Sequence, residues 1–151
     1  MSNELRRWMR LVEGPAPLDI TAFHGTRKDF EQFDPKFFGT SSDRGYLGVG
    51  FYFSTSFNTA ATYAMDSPTG RVLKCRLTLN SPYKMQVENP VQYQNHFHHT
   101  DIRAWLIKYG YDGVICVHSP RDEDDEQSTE IMILNADQIE ILQKIDPNTH
   151  S

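Results

Sequence analysis

The chain is poor in cysteine, with Cys75 and Cys116 alone among 151 residues, and it has no apolar run near the ~20 residues of a membrane-spanning helix. Each cysteine sits inside an apolar segment, Leu73-Lys74-Cys75-Arg76-Leu77 and Val114-Ile115-Cys116-Val117. Two buried thiols in a reducing compartment are therefore expected, and no disulfide scaffold. The opening residues, Met1-Ser2-Asn3-Glu4-Leu5-Arg6-Arg7, have no apolar stretch behind their charges, so a soluble, cytoplasmic protein without the usual export signal is expected. Internal repeats and low-complexity tracts are also lacking. So is any basic excess: 15 Lys and Arg face 20 Asp and Glu, a net charge of −5, which argues against a general grip on nucleic-acid backbone.

What is present suits one domain spanning residues 1–151. A chain of this length hides roughly 68–70% of its unfolded surface. With 38% hydrophobic residues it can fill a core without metal or disulfide, and its 23% charged content disfavours wholesale disorder.

Residues 4–13 place Leu5, Trp8, Met9 and Val12 on one helical stripe, which predicts an amphipathic helix ended by Gly14-Pro15-Ala16-Pro17. From residue 20 the pattern turns to short strands, over 20–24 and 49–54, separated by a long loop of the kind that usually carries function. Thr55 or Ser56 can cap a helix over 57–66 with Phe57, Ala60, Ala61 and Ala64 on its apolar side. Alternation over 72–80, with Leu73, Cys75, Leu77 and Leu79 on one face, predicts a half-buried strand. The stretch 81–99 reads as irregular, with Pro82 and Pro90 as breakers. A second helix is predicted over 101–109, capped by Thr100, buried through Ile102, Trp105, Leu106 and Tyr109, and stopped by Gly110. Strands over 113–118, 130–135 and 138–143 complete the chain, with a polar loop over 119–129. Strands with unevenly inserted helices predict an α+β fold of antiparallel sheets, since a doubly wound parallel sheet needs regular βαβ alternation.

Three features carry the chemistry: Phe23-His24-Gly25-Thr26 at a strand end, the run from Gly48-Val49-Gly50-Phe51-Tyr52-Phe53-Ser54 into a helix bearing Tyr63, and Glu130 opening a late strand. Singly, each has an ordinary reading as a turn histidine, core aromatics or an edge glutamate. In this order, and with Gly110-Tyr111-Asp112-Gly113 before the last strands, they resemble the ADP-ribosyltransferase family of the histidine-tyrosine-glutamate type, the branch of diphtheria toxin and the poly(ADP-ribose) polymerases. The resemblance covers residues 21–143 and is greatest to the small domains of phage and mobile-element polyvalent proteins.

That resemblance implies two roughly perpendicular antiparallel sheets with inserted helices around an NAD cleft, and a toxin- or effector-like mono-ADP-ribosyltransferase of bacterial or phage origin. It implies Glu130, His24 and Tyr52 as the catalytic triad. It places His24, Gly25, Thr26, Tyr52, Ser54 and Tyr63 at the NAD site, with Arg44 from the long loop at the pyrophosphate. The chemistry agrees: cleaving the nicotinamide–ribose bond leaves an oxocarbenium-like sugar that a carboxylate such as Glu130 stabilises. A flat cationic ring suits the faces of Tyr52 and Tyr63. The chain departs from the family pattern at Ala60, where polymerases place a serine and where Thr59 is the nearest substitute, and at Ser128-Thr129-Glu130, which lacks the Glu-x-Glu of arginine-specific toxins. No helical regulatory domain of the large polymerases fits, so chain elongation is not expected.

His96, His98, His99 and His118 stand at no recognised zinc spacing, so no metal site is expected. The acids Asp122, Glu123, Asp124, Asp125 and Glu126 account for the whole net charge, since without them acids and bases balance at 15 each. In the family the loop before the catalytic glutamate faces the acceptor, which favours a protein with a basic surface over nucleic acid; no membrane partner is expected, since no apolar run is long enough to span a bilayer. Water as acceptor (an NAD glycohydrolase), a nucleic-acid acceptor and a catalytically silent NAD-binding module stay open alternatives.

Overall fold

The computed structural model describes residues 17–34, 44–45, 48–65, 67–87, 101–118 and 129–147. The helix read over 4–13, the histidines at 96, 98 and 99, Thr100 and the acidic run 122–126 lie outside the described residues. In chain order the elements are β1 (Leu18–Thr26), β2 (Arg44–Gly45), β3 (Gly48–Val49), β4 (Phe51–Ser54), α1 (Phe57–Ala61), β5 (Arg71–Leu79), β6 (Pro82–Val87), α2 (Ile102–Lys108), β7 (Gly113–His118), β8 (Thr129–Ile133), a 3-10 turn (Ala136–Gln138) and β9 (Ile139–Ile145). Among the described residues no helix is long and apolar enough to cross a membrane.

Seven strands form one sheet in the order β6-β7-β8-β4-β1-β5-β9, and β2 pairs with β3 apart from it. This is a mixed α+β architecture. The resemblance implies two roughly perpendicular sheets, whereas the seven-stranded ladder is continuous. The join is narrow, however: β1 and β4 share the single register pair Phe23↔Ser54, against nine pairs between β1 and β5.

The sheet is rolled rather than flat. Asn80 and Ser81 alone link β5 to β6, a reach of about 11 Å at ~3.8 Å per residue step. Yet β6 stands five places from β5, about 24 Å across a flat sheet at 4.7–4.9 Å per strand. Only a sheet bent back on itself closes that gap, and Leu79 of β5 accordingly reaches Gly113 of β7.

Alternation then sorts the side chains. Ile20 and Ala22 of β1, Phe51 and Phe53 of β4, Leu73, Cys75 and Leu77 of β5, Ile115 of β7 and Ile131 and Ile133 of β8 meet inside the roll, together with Phe33. Each such side chain contributes on the order of 1.5–3 kcal/mol when fully buried. On the outer face Val114, Cys116, Met132 and Leu134 pack under Ile102 and Leu106 of α2, while Phe23 and Val72 pack under Ala60, Ala61 and Ala64. Both cysteines are free and buried, as the sequence implies, and burial pushes the Cys75 thiol up to about 12.

Several boundaries differ from the sequence reading. The stretch 81–99 contains β6, which begins at Pro82; a proline is tolerated at the first residue of an edge strand because its missing N–H costs no ladder bond there. β6 pairs in parallel with β7, an exception to the expected antiparallel sheets that is allowed because the intervening chain, with α2, supplies the long crossover a parallel pair requires. The strand read over 49–54 changes partners at Gly50: Val49 faces Arg44, and Phe51 faces Ile133. The helix read over 57–66 ends at Ala61. There the Thr62 hydroxyl donates to the Thr59 carbonyl at 2.7 Å, and the Tyr63 N–H goes to Ala60 instead, at 3.1 Å.

Asp101 caps α2 by accepting from the Ala104 N–H at 3.1 Å. Gly110, at φ +81°, closes it in a Schellman turn, with Tyr111 N–H on Leu106 O at 2.9 Å and Gly110 N–H on Ile107 O at 3.2 Å. Tyr109 is exposed rather than buried. As the residue at the helix cap its ring lies outside, against Trp105 at 5.0 Å.

The Gly-Tyr-Asp-Gly segment has a structural task. The Asp112 carboxylate accepts the N–H groups of Asn80 and Ser81 at 2.8 and 3.0 Å, and its backbone bonds Ser81 and Leu134. It therefore pins the tight β5–β6 link on which the roll depends. Asp112→Ala is expected to lower the unfolding free energy by about 2 kcal/mol, the loss of charge-assisted hydrogen bonds; a urea denaturation curve with an unmoved midpoint contradicts this role.

Candidate functional site

Register brings the distant motifs together. Phe23 of β1 pairs with Ser54 of β4, and Ser54 pairs with Glu130 of β8, so one row crosses three adjacent strands. His24 and Gly25 follow Phe23 directly, and Tyr52 stands two residues from Ser54. Residues separated by more than a hundred positions thus lie within about two strand spacings, roughly 10 Å.

The faces are set by alternation. Phe51, Phe53, Ile131 and Ile133 point inward, so Tyr52, Ser54 and Glu130 share the outer face, where Tyr52 packs against the cluster that contains Met132. Glu130 is half-buried there. Tyr63, just past α1, is 60% exposed and lies beside Gly25. A Cβ placed on Gly25 would stand 1.8 Å from the Ala60 carbonyl oxygen and 3.2 Å from the Tyr63 Cβ. Only glycine permits this approach, which sets Tyr63 against the end of β1.

His24 faces the other way. It is 4% exposed and ringed by Phe30, Phe33 and Phe53, with centroids at 6.1, 5.0 and 5.5 Å. Its Nδ1 lies 2.6 Å from the Tyr52 carbonyl, which can only accept, so Nδ1 carries the proton. The side chain thereby bridges β1 to β4 where their ladder has run out. Burial holds the imidazole below its ordinary range, against the opposing pull of the Tyr52 carbonyl.

The hydroxyls are engaged locally. Thr26 Oγ1 donates to the Lys28 carbonyl at 2.9 Å and accepts the Lys28 N–H at 3.2 Å, a turn-forming pair. Ser54 Oγ accepts the Ser56 N–H at 3.0 Å. Arg44 contributes its backbone to β2, and its side chain lies outside the described residues. Thr55 escapes a reading from family motifs, although it bonds the residue before Glu130; the signal is three consecutive hydroxyl residues, Ser54, Thr55 and Ser56, at a strand end.

Because the folded His24 pKa is depressed below the ordinary 6.5, its contribution to stability is present above that value and lost as pH falls through and below it. The unfolding midpoint is expected to drop between pH 7 and 5. His24→Gln is expected to flatten that slope, and an identical pH profile in the variant contradicts the assignment.

A family model described as ADP-ribosyltransferase in polyvalent proteins matches residues 17–148, from just before β1 to just after β9. No curated protein matches the chain. The match takes in every described strand together with the row formed by Phe23, Ser54 and Glu130, so the chain belongs to the ADP-ribosyltransferase family of polyvalent proteins.

Proposed function

We propose that the chain is a mono-ADP-ribosyltransferase that cleaves NAD at the nicotinamide–ribose bond and passes ADP-ribose to a macromolecular acceptor, with a protein favoured. Family membership implies a transferase that uses NAD. The observation that carries the finer reading is the alignment of Ser54 with both Phe23 and Glu130, which puts a half-buried carboxylate on the same face as Tyr52 and about two strand spacings from the end of β1 that bears Gly25.

The side chains present suit NAD. A flat cationic ring is attracted to an open aromatic face, and the Tyr63 ring is largely exposed beside Gly25. When bound, NAD supplies a ribose carbon that becomes oxocarbenium-like as nicotinamide leaves. Glu130 provides the fixed negative charge for that carbon and accepts a hydrogen bond from a ribose hydroxyl. Gly25 keeps the Tyr63 turn against β1 by admitting the Ala60 carbonyl where a Cβ would stand. The ribose contact that the resemblance implies for His24 is not assigned, because its Nδ1–H is committed to the Tyr52 carbonyl and its ring lies in the core among Phe30, Phe33 and Phe53. Arg44 is assigned to the pyrophosphate. The acceptor class is read from charge: the acids at 122–126 end four residues before Glu130 in sequence, and they attract a basic protein surface and repel phosphate backbone.

Glu130→Gln is expected to lower nicotinamide release by about 10²–10³-fold at an unchanged melting temperature; normal turnover overturns the mechanism. Tyr63→Ala is expected to raise KM for NAD by about 3- to 10-fold with stability held within about 0.5 kcal/mol, because the ring is exposed. Biotinylated NAD in a host lysate is expected to label material that protease removes and nuclease does not. Free ADP-ribose as the main product supports a hydrolase instead.

A further inference from the structure

We infer that Thr55 is a positioning residue for Glu130, and that the run Ser54-Thr55-Ser56 sets the two walls of the site from one strand end; this rests on the reading of Glu130 as the catalytic carboxylate. β4 leaves the sheet after Ser54 to enter α1. The Thr55 N–H still donates to the Thr129 carbonyl at 3.1 Å, as the next step of an antiparallel ladder would. The return bond would run from the Thr129 N–H to the Thr55 carbonyl. Instead the Thr55 side chain takes that place: Thr55 Oγ1 accepts the Thr129 N–H at 3.0 Å.

The substitution of a hydroxyl for a carbonyl has a consequence for Glu130. Thr129 is 2% exposed and is the first residue of β8, so its N–H has no ready recourse to water. Without the hydroxyl the strand end has a reason to shift, and the next residue along is Glu130. The neighbours of Thr55 hold the opposite wall. Ser54 Oγ accepts the Ser56 N–H at 3.0 Å, which forms the turn, and Ser56 Oγ accepts the Thr59 N–H at 3.2 Å, which caps α1, the helix that leads to Tyr63. A single stretch of chain thus fixes the spacing between carboxylate and tyrosine.

The test uses Thr55→Val, which keeps the shape and removes the acceptor, with Thr55→Ser, which restores it, and Glu130→Gln run alongside. Amide hydrogen exchange by NMR is expected to rise about tenfold or more at Thr129 in Thr55→Val while the amide of buried Leu73 is unchanged, which also shows that the fold is kept. The kcat for nicotinamide release is expected to fall about 10- to 100-fold, with KM for NAD within about twofold, the pattern of a misplaced catalytic group and not of lost binding. Thr55→Ser is expected to return both readings toward wild type. Unchanged exchange at Thr129, wild-type kcat in Thr55→Val, or a loss that Thr55→Ser does not rescue overturns the inference. Wild-type turnover in Glu130→Gln instead removes the catalytic reading, and with it the positioning role, while the exchange result still decides whether the latch exists.

Discussion

The junction between β1 and β4 is the constraint on which both fold and site turn. The two-residue link between β5 and β6 requires the seven-stranded sheet to fold back on itself. The narrowest join in that sheet lies between β1 and β4, which share the single register pair Phe23↔Ser54. Past that pair the strands are tied by one side chain, His24, whose Nδ1–H reaches the Tyr52 carbonyl. A single register pair and a side-chain strut keep β1 and β4 together at that join. The same join brings Gly25, Tyr52 and Glu130 to one locality.

The burial of His24 follows from that task. An imidazole surrounded by Phe30, Phe33 and Phe53 is desolvated, so its neutral form is favoured, and the neutral form with the proton on Nδ1 is the one that can bond a carbonyl. Around it the polar groups of the strand ends are met by short side chains. Thr26 bonds within its own turn, Ser54 bonds Ser56, Ser56 caps α1, and Thr55 holds Thr129. Hydroxyls recur here because the chain leaves the sheet abruptly, and each departure strands a backbone group that a side-chain oxygen can satisfy. At the far edge, Lys144 of β9 binds Asp29 and Glu31, holding the Asp29 carboxyl below its usual range and tying the residues after β1 to the last strand.

Much of this was legible in local pattern. The alternation of Leu73, Cys75, Leu77 and Leu79 identifies a strand with one buried face because burial on one side imposes period two on the sequence. Ser56 as a helix cap and Gly110 as a helix stop follow from backbone chemistry that needs no knowledge of the fold. Other features were hidden for physical reasons. Pro82 disguised β6, since its tolerance depends on the strand lying at a sheet edge. The early end of α1 turns on a competition between the Thr62 hydroxyl and the Tyr63 amide that composition does not reveal. Tyr109 reads as part of an apolar stripe and lies outside, because the helix ends beneath it.

The sequence by itself determined the family and named the residues of the candidate site, because glycine beside histidine at a strand end, two nearby tyrosines and a glutamate near a strand start are local features legible as motifs. It also determined the elements whose signals are local: the long alternating strand, the helix caps and the free thiols. Only the tertiary structure decided that the strands form one rolled sheet, that Phe23, Ser54 and Glu130 share a row, that the His24 ring turns into the core while Tyr52 and Glu130 face outward, and that Thr55 reaches Thr129. Register and facing depend on pairing between segments far apart in the chain, and a shift of one residue reverses every side chain, so no local pattern specifies them.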